Sequence, residues 1–412
     1  MRTLDHWEGR LSALPTTIDC AEMRVIGNDY RQPAFVGPGH IDIRSAADID
    51  FTMHATAAND VDAIRQLGRA RENPYEIRDQ FILVMTDYQG IEWNCGWTRP
   101  EPQTISNRGW LLKGRINSLV TRATGDWVSD KSSIELVFQP KFWLPMSKSV
   151  LTVTSIDDVE IEREYSDGQQ TVQVLDSEIK FFTTPSSDAL WLTAETSTKL
   201  IHPYAENWVC EPLRILLGQR IYPRLVARNF GDRTAHVWLR PSLGEYPDLG
   251  VASLLGDDHA GLRKDFWKLY ASLLQMIAED KTADGHPNFE PHAITRFYDE
   301  IIRATQGSRW VLCMTLSSVA EGLVRLLIPC NPRAKIDNHL KALVCQKILR
   351  RENQVAWTRV RHEVMHGHLV SPWGTEEEDK QLSQLIDLIR RLTRKLIEPY
   401  VGEESRGTDR VL

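Results

Sequence analysis

The apolar residues of this chain change their spacing near residue 257, and that change limits the folds open to it. Before it the pattern is short and strand-like. Gly90 to Trp97 alternates apolar and polar residues, the period of a half-buried strand. Phe81 to Met85 is a short apolar run, and similar runs follow at 110–116, 133–138, 150–154 and 171–175, with Gly, Asp, Asn and Ser clusters between them as turns require. Short helices are expected at 60–71 and from Asn207, the latter leading into a strand. After residue 257 the period becomes helical: Leu262, Phe266, Leu269, Leu273, Leu274 and Ile277 form one stripe. Helices are predicted over 258–279, 290–305, 308–328, 336–350, 352–369 and 376–400. The fold class is therefore α+β: a β-rich N-terminal domain over 1–245, a Pro- and Gly-containing linker over 242–256, and an all-α helical bundle over 257–402. Residues 403–412 are polar and expected to be disordered. Nine of the thirteen Trp precede residue 257, which favours an aromatic-filled β core.

Composition removes several classes. With 42% hydrophobic and 25% charged residues, the chain is neither a disordered polymer nor a fibre. No apolar run approaches the roughly 18 residues of a membrane span, and the first residues lack a signal-peptide core. Six cysteines without a C-x-x-C fit a reduced, cytoplasmic protein. The net charge of −7 gives no global argument for a nucleic-acid partner, but it is uneven. The segment from 257 onward holds 23 basic and 22 acidic side chains, against 26 and 34 before it. Within the first half, Gly37-Pro38-Gly39-His40 reads as a plain turn, since it lacks the Lys-Ser/Thr of a phosphate loop. His6, His40, His54, His202 and His236 have no metal-ligand spacing.

Chemistry concentrates in Arg359-Val-Arg361-His362-Glu363-Val-Met-His366-Gly367-His368, which supports two incompatible readings. The first is H-E-x-x-H: His362 and His366 on one helix face could share a Zn²⁺, with Glu363 as general base of a peptidase. It needs a third ligand. The extended metzincin pattern fails at Leu369 and Pro372, which leaves Glu376, Glu377 and Glu378 as candidates.

The second reading is Arg361, polar His362, three residues, His366 and then Gly367. In order and spacing this resembles the motif of the HEPN ribonuclease superfamily, small helical bundles that carry it on a late helix. The match lies in the fifth of six predicted helices, with His where that family usually has Asn or Asp. The β-rich half joined to such a bundle resembles the ApeA-like abortive-infection proteins of phage defence. These resemblances imply a HEPN-like fold for the last 150 or so residues and a metal-independent endoribonuclease that uses no cofactor. They further imply tRNA or another RNA as substrate, a homodimer or higher homo-oligomer with a composite active site, and a phage-derived trigger sensed or restrained through the N-terminal domain.

The residue chemistry suits that reading independently. RNA transesterification needs proton transfer at the 2′-OH and at the leaving 5′-oxygen, and neutralisation of the charge gathering on phosphorus. A His titrates in the required range, and an Arg supplies a permanent multi-donor cation. Arg361 and His366 lie five residues apart, about 140° around one ideal helix. His362 shares a face with His366 and can orient it or touch RNA. Glu321 is the lone acid in an otherwise apolar helix and can orient Arg361 or His366, or else pair with Arg325 at i+4. Lys347, Arg350, Arg351 and Arg359 form with Arg361 the densest basic run, either an RNA-binding stretch or a solvated helix end. Trp357 and Trp373 flank the motif as base-stacking or core residues, and His368 complements the helix dipole. Three function classes thus stand: HEPN-type ribonuclease, zinc peptidase, and non-catalytic HEPN-like binding module.

Overall fold

A computed structural model describes residues 2–401 of the chain, except 12–13, 28–31, 46–47, 107–108, 147, 157–158, 184–187, 242–249, 257–258, 329–334 and 368–373. Packing divides it into two compact units. The expected tail at 403–412 and most of the expected linker lie outside the described residues.

The first unit holds one fifteen-stranded sheet. Helix α1 (Asp5–Leu11) precedes β1 (Thr16–Ile26), β2 (Pro33–Ile43) and β3 (Ile49–Ala57); α2 (Asp60–Glu72) then leads to β4 (Phe81–Asp87), β5 (Glu92–Thr98), β6 (Glu101–Ser106), β7 (Gly109–Arg115) and β8 (Leu119–Thr124). Next come β9 (Ser132–Phe138), β10 (Lys148–Ile156), β11 (Val159–Val174), β12 (Ser177–Thr183), β13 (Leu190–Glu195), β14 (Leu225–Phe230) and β15 (Thr234–Leu239). Their order across the sheet is β10-β11-β12-β13-β9-β14-β15-β8-β5-β4-β1-β2-β3-β7-β6. Alternation sets the faces: in β4, Phe81, Leu83 and Met85 are buried while Ile82 and Val84 are half-buried. Leu4, just before α1, and Trp7 and Leu11 on it enter the sheet's core, where Trp7 meets Trp93 edge-to-face at 5.3 Å. Buried Glu135 on β9 accepts the backbone N–H groups of Thr3 (2.9 Å) and Leu4 (2.8 Å), and so anchors the start of the chain.

The expected turn at Gly37-Pro38-Gly39-His40 is not a turn but part of β2. The β1–β2 register shifts between Cys20 and Met23, opposite this stretch, so Pro38 sits where the ladder is already irregular. A Cβ on Gly37 would come within 2.0 Å of the His54 carbonyl oxygen on β3. The glycines therefore serve close strand approach, not chain reversal.

The second unit comprises Val172–Asp176, Thr198–Ile221 and Tyr246–Leu412. Its helices are α3 (Ala205–Trp208), α4 (Glu211–Leu217), α5 (His259–Glu279), α6 (Ala293–Thr305), α7 (Arg309–Leu327), α8 (Ile336–Cys345), α9 (Arg351–Met365) and α10 (Glu376–Ile397). The boundary differs from the one read from sequence, because α3 and α4 pack with the helices. Tyr270 donates to the Val209 carbonyl (2.9 Å), Thr295 Oγ1 donates to Glu211 (2.6 Å), and Arg214 pairs with Asp299 (3.2 Å).

Helix α7 is central and packs against α6, α9 and α10. By length and composition it is apolar enough to cross a membrane, contrary to the expectation that no such run exists. Its buried residues, among them Leu316, Val319, Ala320 and Leu323, instead form the middle of the bundle. Helix α8 stops short of residue 350 because Lys347 adopts a left-handed conformation (φ 59°) and Ile348 N–H turns back to the Leu343 carbonyl (3.0 Å).

Candidate functional site

Helix α9 carries the motif, and its packing fixes how each residue faces. Ala356, Trp357, Val360 and Val364 are buried at spacings of one, three and four residues, so α9 lays one stripe on the bundle. Two hydrogen-bonding devices hold its ends. At the start, buried Asn353 accepts the Arg350 N–H (3.0 Å) and donates to the Gln384 carbonyl (2.9 Å) and to Asp387 (3.1 Å) on α10. At the end, Gly367 has φ 72°, a conformation that glycine adopts without strain, so α9 stops directly behind His366. A Cβ at Gly367 would meet nothing within 4 Å; backbone conformation and not space asks for glycine there.

Arg361 is gripped from two sides. Its Nε donates to Glu321 Oε1 at 2.5 Å, and its guanidinium lies 5.4 Å from the Trp357 ring centroid. Trp357 is itself fixed, with Nε1 donating to the Ser317 carbonyl at 3.2 Å. Glu321 thus bonds Arg361 across two helices and not Arg325 on its own. The Arg361 side chain keeps 42% of its surface exposed while its Nε is occupied. His362 and His366 form a second pair, both exposed, with ring centroids 4.4 Å apart and planes tilted by 56°.

These two pairs do not share one cavity. A cleft of about 560 Å³ between α6, α7 and α9 is lined by Glu321 and Arg361 together with Phe297, Met314, Val364 and Met365, and neither His lines it. That follows from the helix, on which five residues turn Arg361 and His366 well apart. Inside the cleft Glu321 offsets the charge of Arg361, and Glu300 adds another carboxylate that Arg303 partners at 2.8 Å. Cys313 on α7 offers no ready nucleophile: burial pushes its thiol up, Arg309 opposes this, and Glu363 and Glu378 add to it.

The basic run is not one patch. Helix α9 rises about 1.5 Å per residue, which leaves Lys347, Arg350 and Arg351 roughly 20 Å from its other end. Arg359 is nearer the motif but pairs with Glu377 on α10 (3.1 Å). That pairing also occupies one of the candidate zinc ligands. A second, Glu378, accepts the Thr375 N–H (2.6 Å) in a capping box. Among the described residues no three His, Cys, Asp or Glu side chains converge as metal ligands. His368 and Trp373 lie outside the described residues. Sequence reasoning did not see Trp357 as the platform beneath Arg361, although an aromatic four residues before an Arg on a helix is a readable signal. It also missed Met314 and Phe297 in the cleft, which have no local signature.

Comparison of the chain with known protein families, curated proteins and solved structures gives no match.

Proposed function

We propose that the helical unit is a metal-independent endoribonuclease of HEPN type. The observation that carries this reading is the bracing of Arg361 by Glu321 and Trp357, with its side chain still partly exposed, on the same helix as the adjoining His362–His366 pair. In this reading the substrate's 2′-OH attacks the adjacent phosphorus and the P–O5′ bond breaks. The products are a 2′,3′-cyclic phosphate and a 5′-OH. His366 moves the proton, His362 orients its ring, and Arg361 neutralises the charge that builds on the phosphate oxygens. Glu321 is a positioning residue.

Because one chain turns Arg361 and His366 apart, the reaction centre is composite, built by two copies whose motifs face one phosphate. Unpaired bases of tRNA loops are the expected target. The protein acts in the cytoplasm in anti-phage abortive infection, with the β-rich unit as its restraint or sensor.

The test is a denaturing gel of tRNA incubated with the protein in excess EDTA. Discrete fragments with 2′,3′-cyclic phosphate ends are expected. Replacement of His366 by Ala does not discriminate, since a peptidase would need it too. Arg361→Ala does: the ribonuclease should lose about 10²-fold or more, while Glu363→Ala should leave it active. Full cleavage by Arg361→Ala would overturn the mechanism. Tightly bound stoichiometric zinc with loss of activity on Glu363→Ala would instead favour the peptidase.

A further inference from the structure

A cleft of about 680 Å³ opens in the first unit, where β3 and β7 run beside the edge strand β6. Its floor lies on the face of the sheet turned away from the core. Phe51 and Met53 on β3 are buried, whereas Asp50 and Thr52, between and beside them, are only half-buried and line the cleft. Across the ladder Thr52 pairs with Lys113 and Asp50 with Arg115, which places both cations over this floor. Gly114 between them carries no side chain. A Cβ there would stand 2.6 Å from the Phe51 ring and 3.0 Å from the Arg99 carbonyl oxygen, so the glycine makes room for the Phe51 ring on the opposite face.

The walls are aromatic and apolar, and they are open to solvent. Tyr75 is 96% exposed, Ile77 63% and Trp97 39%, three neighbours of one cavity. Such grouping of large apolar side chains marks a surface that binds something. The segment bearing Tyr75 and Ile77 is held in place by Arg99, whose Nε donates to Gln80 Oε1 (2.8 Å) and whose Nη2 donates to the Pro74 carbonyl. The charge is equally specific. Four cations (Arg44, Arg99, Lys113 and Arg115) line the cleft against two carboxylates (Asp50 and Glu101). This is a net positive site in the acid-rich half of the chain. Arg44 and Arg115 share Asp50 (3.7 and 3.8 Å) and Arg115 also pairs with Asp48, while Lys113 is exposed and takes no ion pair among the described residues.

We propose that this cleft binds a nucleotide, with the base against Tyr75 and Trp97 and the phosphate at Lys113, supported by Arg44 and Arg115. The volume falls within the roughly 300–1,000 Å³ of small-ligand pockets. Aromatic faces beside cations are the combination that base and phosphate require. The nucleotide has two possible sources, a free nucleoside phosphate or one unit of a single strand. This site is independent of the ribonuclease reading, since it uses none of that motif.

The experiment is isothermal titration calorimetry of the intact protein with each of the four ribonucleoside triphosphates, and with a five-residue oligothymidylate, which has no 2′-OH and is not cut. Saturable binding is expected. The tighter of the two probe types identifies the source. Tyr75→Ala should weaken it by at least about fivefold, the lower end of base stacking, and Tyr75→Phe should restore it. Lys113→Glu should weaken it and flatten its salt dependence. Arg361→Ala should leave it unchanged. No saturable binding of any probe up to millimolar concentration, or binding that survives both Tyr75→Ala and Lys113→Glu, would overturn the proposal.

Discussion

The Glu321–Arg361 contact allows the sharpest test of the proposed centre. Removing the carboxylate by Glu321→Ala frees Nε of Arg361 and leaves its guanidinium held only by the Trp357 ring at 5.4 Å. A charge-assisted hydrogen bond contributes about 1.5–3 kcal/mol when well buried. Here the two side chains are 42% and 25% exposed, so water screens the pair and the expected loss of fold stability is nearer to about 1 kcal/mol. The effect on activity should be larger, because it depends on placement. The remaining cation–π contact is worth about 0.5–1 kcal/mol at an exposed site, too little to fix the fork in one orientation. A misplacement on the order of 1 Å costs about 10²-fold. Glu321→Ala should therefore lower the single-turnover rate of RNA cleavage by about 10- to 100-fold, with a small shift in Tm. Glu321→Gln keeps an oxygen acceptor for Nε–H and should recover most of that rate. In the double variant with Arg361→Ala the two losses should not add, since Glu321 acts through Arg361. An unchanged rate in Glu321→Ala, or losses that add fully, would refute the positioning role. Equal damage from Gln and Ala would reduce Glu321 to a structural residue.

Three further outcomes follow from the helical unit. Lys347→Gly should raise stability by about 0.5–1 kcal/mol, because it relieves a left-handed backbone at φ 59° despite glycine's greater freedom when unfolded; a drop in Tm would count against this. Asn353→Ala should cost about 1–3 kcal/mol in urea unfolding, since it strands the Arg350 N–H and takes a donor from Asp387 at this junction, and a loss below about 0.5 kcal/mol would mean that the junction relaxes. Asp387 sets a pH window. Burial pushes its carboxyl up, but hydrogen bonds from Arg391 and Asn353 and the charges of Arg391 and Arg350 outweigh this and hold it below the ordinary 3.8. A depressed folded value means that its contribution is present above 3.8 and is lost as pH falls through the lower folded value. The stability gap between the wild type and Asp387→Asn should be full near neutrality and close in that acid range; a gap that widens with acid would reverse the sign.

Periodicity exposed most of the fold, and local geometry decided the rest. The stripe from Phe266 to Ile277 located α5 because a 3.6-residue spacing has one cheap structural answer. The end of α8 was not visible, since nothing marks Lys347 as the residue that turns left-handed. Gly37-Pro38-Gly39 misled for a related reason: those residues mark any place where backbone runs close, and here the close neighbour is a strand. Assignment of α3 and α4 to the helical unit depends on contacts such as Arg214 with Asp299, 85 residues away, which no local window contains. No single truncation keeps this unit whole, because it includes Val172–Asp176 and because residues 222–245, between two of its segments, belong to the sheet. At the site, a lone acid in an apolar helix announced Glu321 as unusual, but only packing could choose Arg361 over Arg325 as its partner. The basic run looked dense because letters on a page are adjacent; a helix spreads the same letters along its length.

The bond between Glu321 and Arg361 also has a place in time. Forty residues separate the two, and synthesis at about 5–20 residues per second leaves an interval of roughly 2–8 s between them. During that interval Glu321 has been made and Arg361, its partner in the fold, has not. Neither the Arg nor the His pair of the motif yet exists, and α9 and α10, which will cover α7, are still to be made. The stretch that we propose cuts RNA is thus completed after the sheet, and a ribosome that stalls before α9 releases a chain without it.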